Sequence, residues 1–128
     1  MYPKEFRYTK DHEWIAIEGL EARVGITEFA QHQLGDIIFV ETPQIGAKLE
    51  THQSLGVVES VKSVSDVYSP VAGEVVAVNE ELAQAPDIIN RDPHGQGWLV
   101  RLKPGDPKEI EGLMSAADYE KYLEGLET

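Results

Sequence analysis

The sequence contains no cysteine, so neither a disulfide framework nor a thiolate metal site can form. Long apolar runs are also missing. The longest uninterrupted ones have four residues, as from Ile37 to Val40, whereas a membrane-spanning helix needs about 20. The start of the chain, "MYPKEFRYTKDHEW", mixes acids and bases and lacks the apolar core of a signal peptide. These absences indicate a cytoplasmic protein and argue against a membrane location.

Positive charge is scarce as well. Lysine and arginine together number 11 against 23 acidic residues, which gives a formal net charge of -12. An acidic surface repels phosphate groups, so nucleic acid and anionic membranes are not expected as partners. The acidity suits basic patches on other proteins, or it serves solubility alone. The four histidines form no HxxxH or HExxH pair, so we expect no metal site.

Short strand patterns dominate the chain. Its 128 residues suffice for one ordinary domain with a real core, so we expect a single domain over residues 1–128. The stretch "EWIAIEGLEARVGI" predicts a hairpin, "DIIFVE" a buried strand and "WLVRL" a last strand. Between "EVVAV" and "WLVRL", the stretch "NEELAQAPDIINRDPHGQG" is interpreted as irregular. The fold class that follows is mainly β (α+β), with short helices.

Two segments have helical patterns. "TEFAQHQLGD" predicts a helix that Thr27 caps and Gly35 closes. The segment from about 107 to 126 predicts two short helices with a break near Ser115. Ser115 and Asp118 resemble a capping box, which places the start of the second helix.

A faint internal repeat relates two stretches of the chain. "GDIIFVE" starts at Gly35 and "GEVVAVN" starts at Gly73, and each copy is a glycine, an acid and four apolar residues. Two related half-units that share one core would form a flattened barrel or sandwich with quasi-twofold symmetry. Coincidence is the alternative, because only two short copies exist.

The stretch "VVESVKSVSD" lies between these copies and contains a single lysine, Lys62, among apolar β-branched residues. Burial of an unpaired ammonium costs several kcal/mol, whereas a turn leaves it in water. We therefore predict a β-turn with Lys62 at its exposed tip, Glu59 three residues before it and Asp66 four after. The turn lacks Asn-Gly or Asp-Gly, the usual signal for a tight hairpin. From these residues alone, an ordinary solvated lysine remains the alternative to a functional one.

The stretch "VVESVKSVSDVYSPVAGEVVAVN" closely resembles the lipoyl-lysine segment of the glycine cleavage H-protein family. "KDHEW", "VGITEFAQHQLGDIIFVETP" and "GWLVRLKP" also resemble that family and occur in the same order, from about Phe6 into the C-terminal helices. The resemblance implies a lipoyl-domain-like barrel-sandwich hybrid with flanking short helices. It also implies that a lipoylating enzyme attaches lipoate to Lys62, and that the protein is a non-catalytic carrier, expected to be monomeric.

The resemblance further implies three enzyme partners. Glycine decarboxylase would load an aminomethyl group onto the oxidised lipoyl disulfide. The aminomethyltransferase would pass the one-carbon unit to tetrahydrofolate and release ammonia, and dihydrolipoyl dehydrogenase would reoxidise the dithiol. A carrier without cysteines of its own avoids disulfide exchange with its arm, so the absence of cysteine is compatible with this role.

By motif position, the resemblance assigns Glu13 and Asp66 to docking of the loaded arm, whose terminal ammonium would pair with their carboxylates. At a solvent edge we expect about 1 kcal/mol or less from each contact. Three residues depart from the family pattern. Asp11 stands where many relatives have Ser or Thr, Phe29 where they often have His or Tyr, and Gln33 where some have His. These departures bear on the geometry of the docking cleft and leave the carrier role intact.

Three alternatives stay open from the sequence. A related carrier could donate lipoyl groups to other complexes or relay them, because the attachment chemistry is shared. An unmodified binding module, or an enzyme subunit, could use the same scaffold. A biotinyl carrier usually has "MKM" around its lysine, whereas Val61 and Ser63 flank Lys62 here.

Overall fold

The computed structural model describes residues 2–127 as two antiparallel sheets with short helices around them. The strands are β1 Arg7–Tyr8, β2 Glu13–Glu18, β3 Glu21–Ile26, β4 Ile37–Glu41, β5 Lys48–Leu49, β6 Ser54–Ser60, β7 Val64–Tyr68, β8 Gly73–Val78 and β9 Val100–Pro104. The helices are α1 Glu28–Leu34, α2 Ile88–Arg91, α3 Lys108–Glu111 and α4 Ala116–Glu127, with a 3-10 helix at Glu80–Ala83. The mainly β fold class is therefore confirmed.

One sheet has six strands in the order β1-β2-β3-β9-β8-β5, and the other has three in the order β4-β6-β7. The two copies of the repeat, β4 and β8, thus belong to different sheets. The main core draws apolar side chains from both sheets, among them Ile15, Val24, Val58, Val75 and Leu102, each at most 1% exposed. Full burial of such side chains stabilises a fold by about 1.5–3 kcal/mol apiece.

A second cluster is aromatic and packs α4 against the six-stranded sheet. Phe6 stacks on Trp14 with ring centroids 4.6 Å apart, and Tyr8 stacks on Tyr119 of α4 at 4.8 Å. Trp14 is fully buried, and its indole N–H donates to the carbonyl oxygens of Ile26 and Pro93. Trp14 of this cluster directly follows residues 11–13, which line the cleft described below.

The predicted turns and caps are present. β2 and β3 form the expected hairpin, with Gly19 at φ 70° in the loop. Thr27 accepts a hydrogen bond from the N–H of Ala30, and Gly35, at φ 82°, ends α1. Ser115 accepts from the N–H of Asp118 at 3.2 Å, at the predicted break before α4. Among the described residues, no helix is both long and apolar enough to cross a membrane.

Two local predictions were wrong. The stretch predicted to be irregular contains the 3-10 helix and α2. "DIIFVE" forms strand β4, but Ile38 and Phe39 are 56% and 50% exposed. A register irregularity between Ile37 and Phe39 breaks the two-residue alternation of β4, and β4 is an edge strand whose outer face no other sheet covers.

Candidate functional site

Lys62 is exposed at the tip of the β6–β7 hairpin, where the turn was predicted. A serine closes this turn in place of Asn-Gly. The hydroxyl of Ser60 accepts the N–H groups of Lys62 at 3.2 Å and Ser63 at 3.1 Å, while the N–H of Ser60 donates to the carbonyl of Ser63 at 2.8 Å. The N–H of Val61 donates to the carbonyl of Asp36 at 3.0 Å, which holds the tip beside the start of β4.

The Lys62 side chain lies against Gly35, the residue that ends α1. A methyl group placed on Gly35 would be 3.4 Å from the Cε of Lys62 and 4.0 Å from its Nζ. The lysine stem therefore points along the end of α1, where Leu34 begins the wall of a cleft. The C-terminal half of α1 thus connects the lysine tip to that cleft.

This cleft has a volume of about 440 Å³ and lies between α1, the start of β2 and strand β7. Its lining residues are Asp11, His12, Glu13, Ile26, Phe29, Ala30, Gln33, Leu34, Val58, Ser65, Asp66 and Val67. Volumes near 300–1,000 Å³ are typical of small-molecule sites. A depression of about 460 Å³ along the 3-10 helix is as large, so position beside Lys62 is what distinguishes the cleft.

Glu13 forms a polar floor of the cleft and is only 2% exposed. The hydroxyl of Thr9 donates to its Oε1 at 2.6 Å, and the N–H of Tyr68 donates to its Oε2 at 3.1 Å. Burial raises the pKa of Glu13 to about 7, and the two hydrogen bonds oppose that shift only in part. The solvent-edge position assumed for Glu13 in the sequence analysis is therefore wrong.

Asp66 and Asp11 lie at the rim instead. Asp66 is exposed and accepts a hydrogen bond from the hydroxyl of Ser54 at 3.1 Å. Asp11 is half-exposed, with its carboxylate 3.9 Å from the Nδ1 of His52. The structure thus brings Glu13, Asp66 and Asp11 to one cleft, although Asp11 departs from the family pattern. The Glu13 carboxylate lies at the floor of the cleft and the other two lie at its rim.

His12 is a lining residue that the sequence analysis missed. Its Nδ1 is 2.8 Å from the hydroxyl of Tyr119, and that hydroxyl is 2.7 Å from the Oγ1 of Thr27. Its ring centroid lies 4.6 Å from that of Phe29. Burial lowers the pKa of His12, so the ring is neutral at pH 7. Only its place inside "KDHEW" could have drawn attention to it, because a lone histidine carries no spacing signal.

The arrangement suits a long, flexible chain that ends in a cation. Ile26, Phe29 and Leu34 provide apolar wall for the stem, and the carboxylates of Glu13 and Asp66 provide acceptors for a positive terminus. Gly35 and Ala30 are five positions apart, which corresponds to about 7.5 Å along a helix. A lipoyl group would extend the lysine side chain by more than that distance, so an arm on Lys62 would be long enough to reach the cleft.

Comparisons with known proteins agree over nearly the whole chain. The family described as "Glycine cleavage H-protein" matches residues 6–126. A glycine cleavage system H protein of Magnetococcus marinus is 52% identical over 122 residues, which cover 95% of this chain and 87% of that protein. The corresponding protein of Halothermothrix orenii is 50% identical over 125 residues, 98% of both chains.

The fold has a solved counterpart. A crystal structure of a glycine cleavage system H protein from Mycobacterium marinum superposes with a TM-score of 0.86 at 38% identity, over 94% of this chain and 98% of that one. Within the described residues the two sheets do not close into a barrel. Together these findings confirm the fold that the resemblance implied and are consistent with a barrel-sandwich hybrid.

Proposed function

Because the chain belongs to the glycine cleavage H-protein family, we propose that it is the lipoyl-bearing carrier of the glycine cleavage system, with lipoate in amide linkage on Lys62. It would catalyse nothing alone and would shuttle an aminomethyl group from glycine decarboxylase to the aminomethyltransferase. Dihydrolipoyl dehydrogenase would then reoxidise the dithiol of the arm. The observation that carries the proposal is the exposed Lys62 tip beside a cleft with carboxylates. The cytoplasmic location and the monomeric state remain predictions.

Lys62 is suited to be acylated. Its amine is exposed at a tip that Ser60 and the Asp36 carbonyl hold in one shape, so a lipoylating enzyme can reach it. Amide formation removes the positive charge, and the extended arm is then neutral and apolar apart from its amide. When bound, the lipoyl group would supply a disulfide that takes up the substrate carbon and is regenerated by thiol–disulfide chemistry.

The residues beyond the tip would guide the arm. Gly35 has no side chain, so the lysine stem passes close to the backbone at the end of α1. Phe29 and Leu34 would shield the stem from water, and His12 is neutral and does not repel a cationic terminus.

Glu13 and Asp66 would hold that terminus by different means. Burial raises the pKa of Glu13 to about 7, and a neighbouring ammonium would favour its ionised form. Asp66 is exposed and hydrated, so its contact would be weaker and screened by salt. One buried and one exposed contact would bias the arm toward the cleft without trapping it, as a shuttle requires.

The test is loading by glycine decarboxylase. The apoprotein is lipoylated with lipoate, ATP and a lipoate ligase, then incubated with glycine decarboxylase and glycine labelled at its methylene carbon, the carbon that decarboxylation retains. We expect label on the lipoylated protein only, and its transfer to tetrahydrofolate once the aminomethyltransferase is added. The unmodified apoprotein and Lys62→Arg are the matched controls. Lipoylated protein that acquires no label would contradict the proposal, and an unmodified Lys62 in protein from its native cells would favour a binding module instead.

A further inference from the structure

Four large apolar side chains are exposed around the Lys62 tip. They are Ile38, Phe39, Val61 and Val64, with exposed fractions of 56%, 50%, 65% and 66%, and we call them the apolar collar. Apolar residues that are scattered singly over a surface need no explanation, but a group in one place indicates an interaction surface.

The strand register shows that part of the collar forms one row. Phe39 of β4 is opposite Glu59 of β6, and Glu59 is opposite Val64 of β7. Directly opposed residues share a face of a sheet, so these three side chains lie side by side on the outer face of the three-stranded sheet. The register irregularity in β4 exposes Ile38 next to Phe39, and the hydrogen bond of Val61 to Asp36 holds it at the same end.

Apart from Lys62, the charged residues of the segments that carry the apolar collar are all acidic. The segments 35–41 and 54–68 contain the acids Asp36, Glu41, Glu59 and Asp66, and Lys62 is their only basic residue. None of these four carboxylates forms an ion pair with another described residue. Amide formation at Lys62 would remove the only cation and leave an acidic rim around apolar side chains.

We propose that the apolar collar and its acidic rim are the docking surface for the enzyme that loads the arm, and that the matching surface on that enzyme is apolar at its centre and bordered by arginine and lysine. Charge complementarity favours a basic occupant, because four carboxylates without ion pairs repel an acidic or anionic surface and attract a basic one. The proposal rests on the proposed function, since only an enzyme that receives the Lys62 arm must approach this end of the molecule.

The test compares two lipoylated double variants as substrates of glycine decarboxylase. Phe39→Thr/Val64→Thr removes half of the apolar collar and retains β-forming residues. Ile17→Thr/Leu20→Thr is the matched control, because these two residues are 56% and 86% exposed at the opposite end of β2. We expect KM to rise at least tenfold in the collar variant with kcat within twofold of wild type, and both constants to stay unchanged in the control. Thermal unfolding verifies folding, and Val64→Thr alone replaces the double variant if that one does not fold.

Three outcomes would overturn the proposal in distinguishable ways. If lipoylated wild type is not loaded, the proposed function itself fails and the docking surface with it. If wild type is loaded and the collar variant has the same KM within twofold, only the docking surface is wrong. If sedimentation shows a wild-type dimer that the collar variant lacks, a second copy of this chain covers the surface in place of the enzyme.

Discussion

The two sheets of this protein differ in how many of their charged side chains form ion pairs. On the six-stranded sheet, Arg23 pairs with Glu18 at 2.7 Å, and Arg101 pairs with Glu18 and, at 3.7 Å, with Glu21. Each arginine also lies over a tryptophan ring, at 5.6 Å and 5.5 Å. On the three-stranded sheet, four carboxylates lack ion pairs and the apolar collar is exposed.

This difference separates structural surface from functional surface. Exposed ion pairs contribute at most about 1 kcal/mol each, so those of the six-stranded sheet have a modest structural role. Unpaired acids beside exposed apolar side chains do nothing for the isolated fold, and they become useful only against a partner. The sheet that carries Lys62 is therefore the one expected to respond to changes in function without changes in stability.

The largest contrast is expected between two lysines, one on each sheet. Lys62→Arg should abolish lipoylation completely, because a guanidinium retains the charge but is a very poor acyl acceptor. Lys48→Arg in β5 should leave lipoylation intact, and both variants should unfold at the wild-type temperature. Peptide mapping by mass spectrometry, after incubation with lipoate, ATP and a lipoate ligase, identifies the lysine that carries the lipoyl group in each variant. A lipoyl group on any other lysine, or on the Lys62→Arg variant, would contradict the assignment.

The sequence predicted those features that local chemistry determines. Thr27 and Gly35 have the side chains that helix caps require, and Lys62 has a charge that an interior would not tolerate. The position of Glu13 depended on residues far along the chain, because Tyr68 lies 55 positions away and supplies one of its hydrogen bonds. A carboxylate in a short motif gives no indication of such burial.

The exposure of Ile38 and Phe39 could not be predicted for a related reason. "GDIIFVE" and "GEVVAVN" have the same pattern of residue types, yet β8 lies inside the six-stranded sheet and β4 at an edge. Periodicity indicates a strand, but which of its faces another layer covers depends on the arrangement of the sheets. The apolar collar was invisible in the sequence because its members resemble ordinary core residues.

Glu13 should make the stability of the fold depend on pH. Its folded pKa is about 7 against an ordinary value of 4.5, so the folded state holds the proton more tightly than the unfolded state does. The contribution is present in full below pH 4.5 and is lost as pH rises to about 7. The loss amounts to about 3 kcal/mol.

Glu13→Gln removes this titration. The free energy of unfolding of wild type minus that of Glu13→Gln, measured by urea denaturation from pH 4 to pH 8, should therefore fall with rising pH and level off above about pH 7. A difference that stays constant over this range would show that the buried carboxylate has an ordinary pKa.

Association with partner enzymes should respond to charge on one sheet only. The rate constant for association with glycine decarboxylase should fall about tenfold from low to high salt, because opposite-charge steering is screened over about 8 Å at physiological ionic strength. Asp36→Asn/Glu41→Gln should reduce both the rate constant and its salt dependence more than the matched pair Glu18→Gln/Glu21→Gln. Stopped-flow measurements over a salt series test this, and a flat series would mean that the acidity serves solubility alone.

The smallest expected effect separates the two carboxylates of the cleft. Once the arm is loaded, Glu13→Gln and Asp66→Asn should each speed release of the one-carbon unit in the absence of the transferase. Each substitution preserves the shape of the side chain and removes the negative charge that would hold the ammonium. About 1 kcal/mol per contact corresponds to about fivefold in rate.

The Glu13→Gln effect should be larger at pH 8 than at pH 6, because the Glu13 carboxylate ionises with a pKa of about 7. Taking the ratio of variant to wild type at each pH cancels the intrinsic pH dependence of the release chemistry. High salt should weaken the exposed Asp66 contact more than the buried Glu13 contact. Formaldehyde release from the purified loaded carrier measures all of these rates. Equal decay of wild type and both variants at low salt and pH 8 would show that neither carboxylate holds the arm, and that the cleft does not protect it electrostatically.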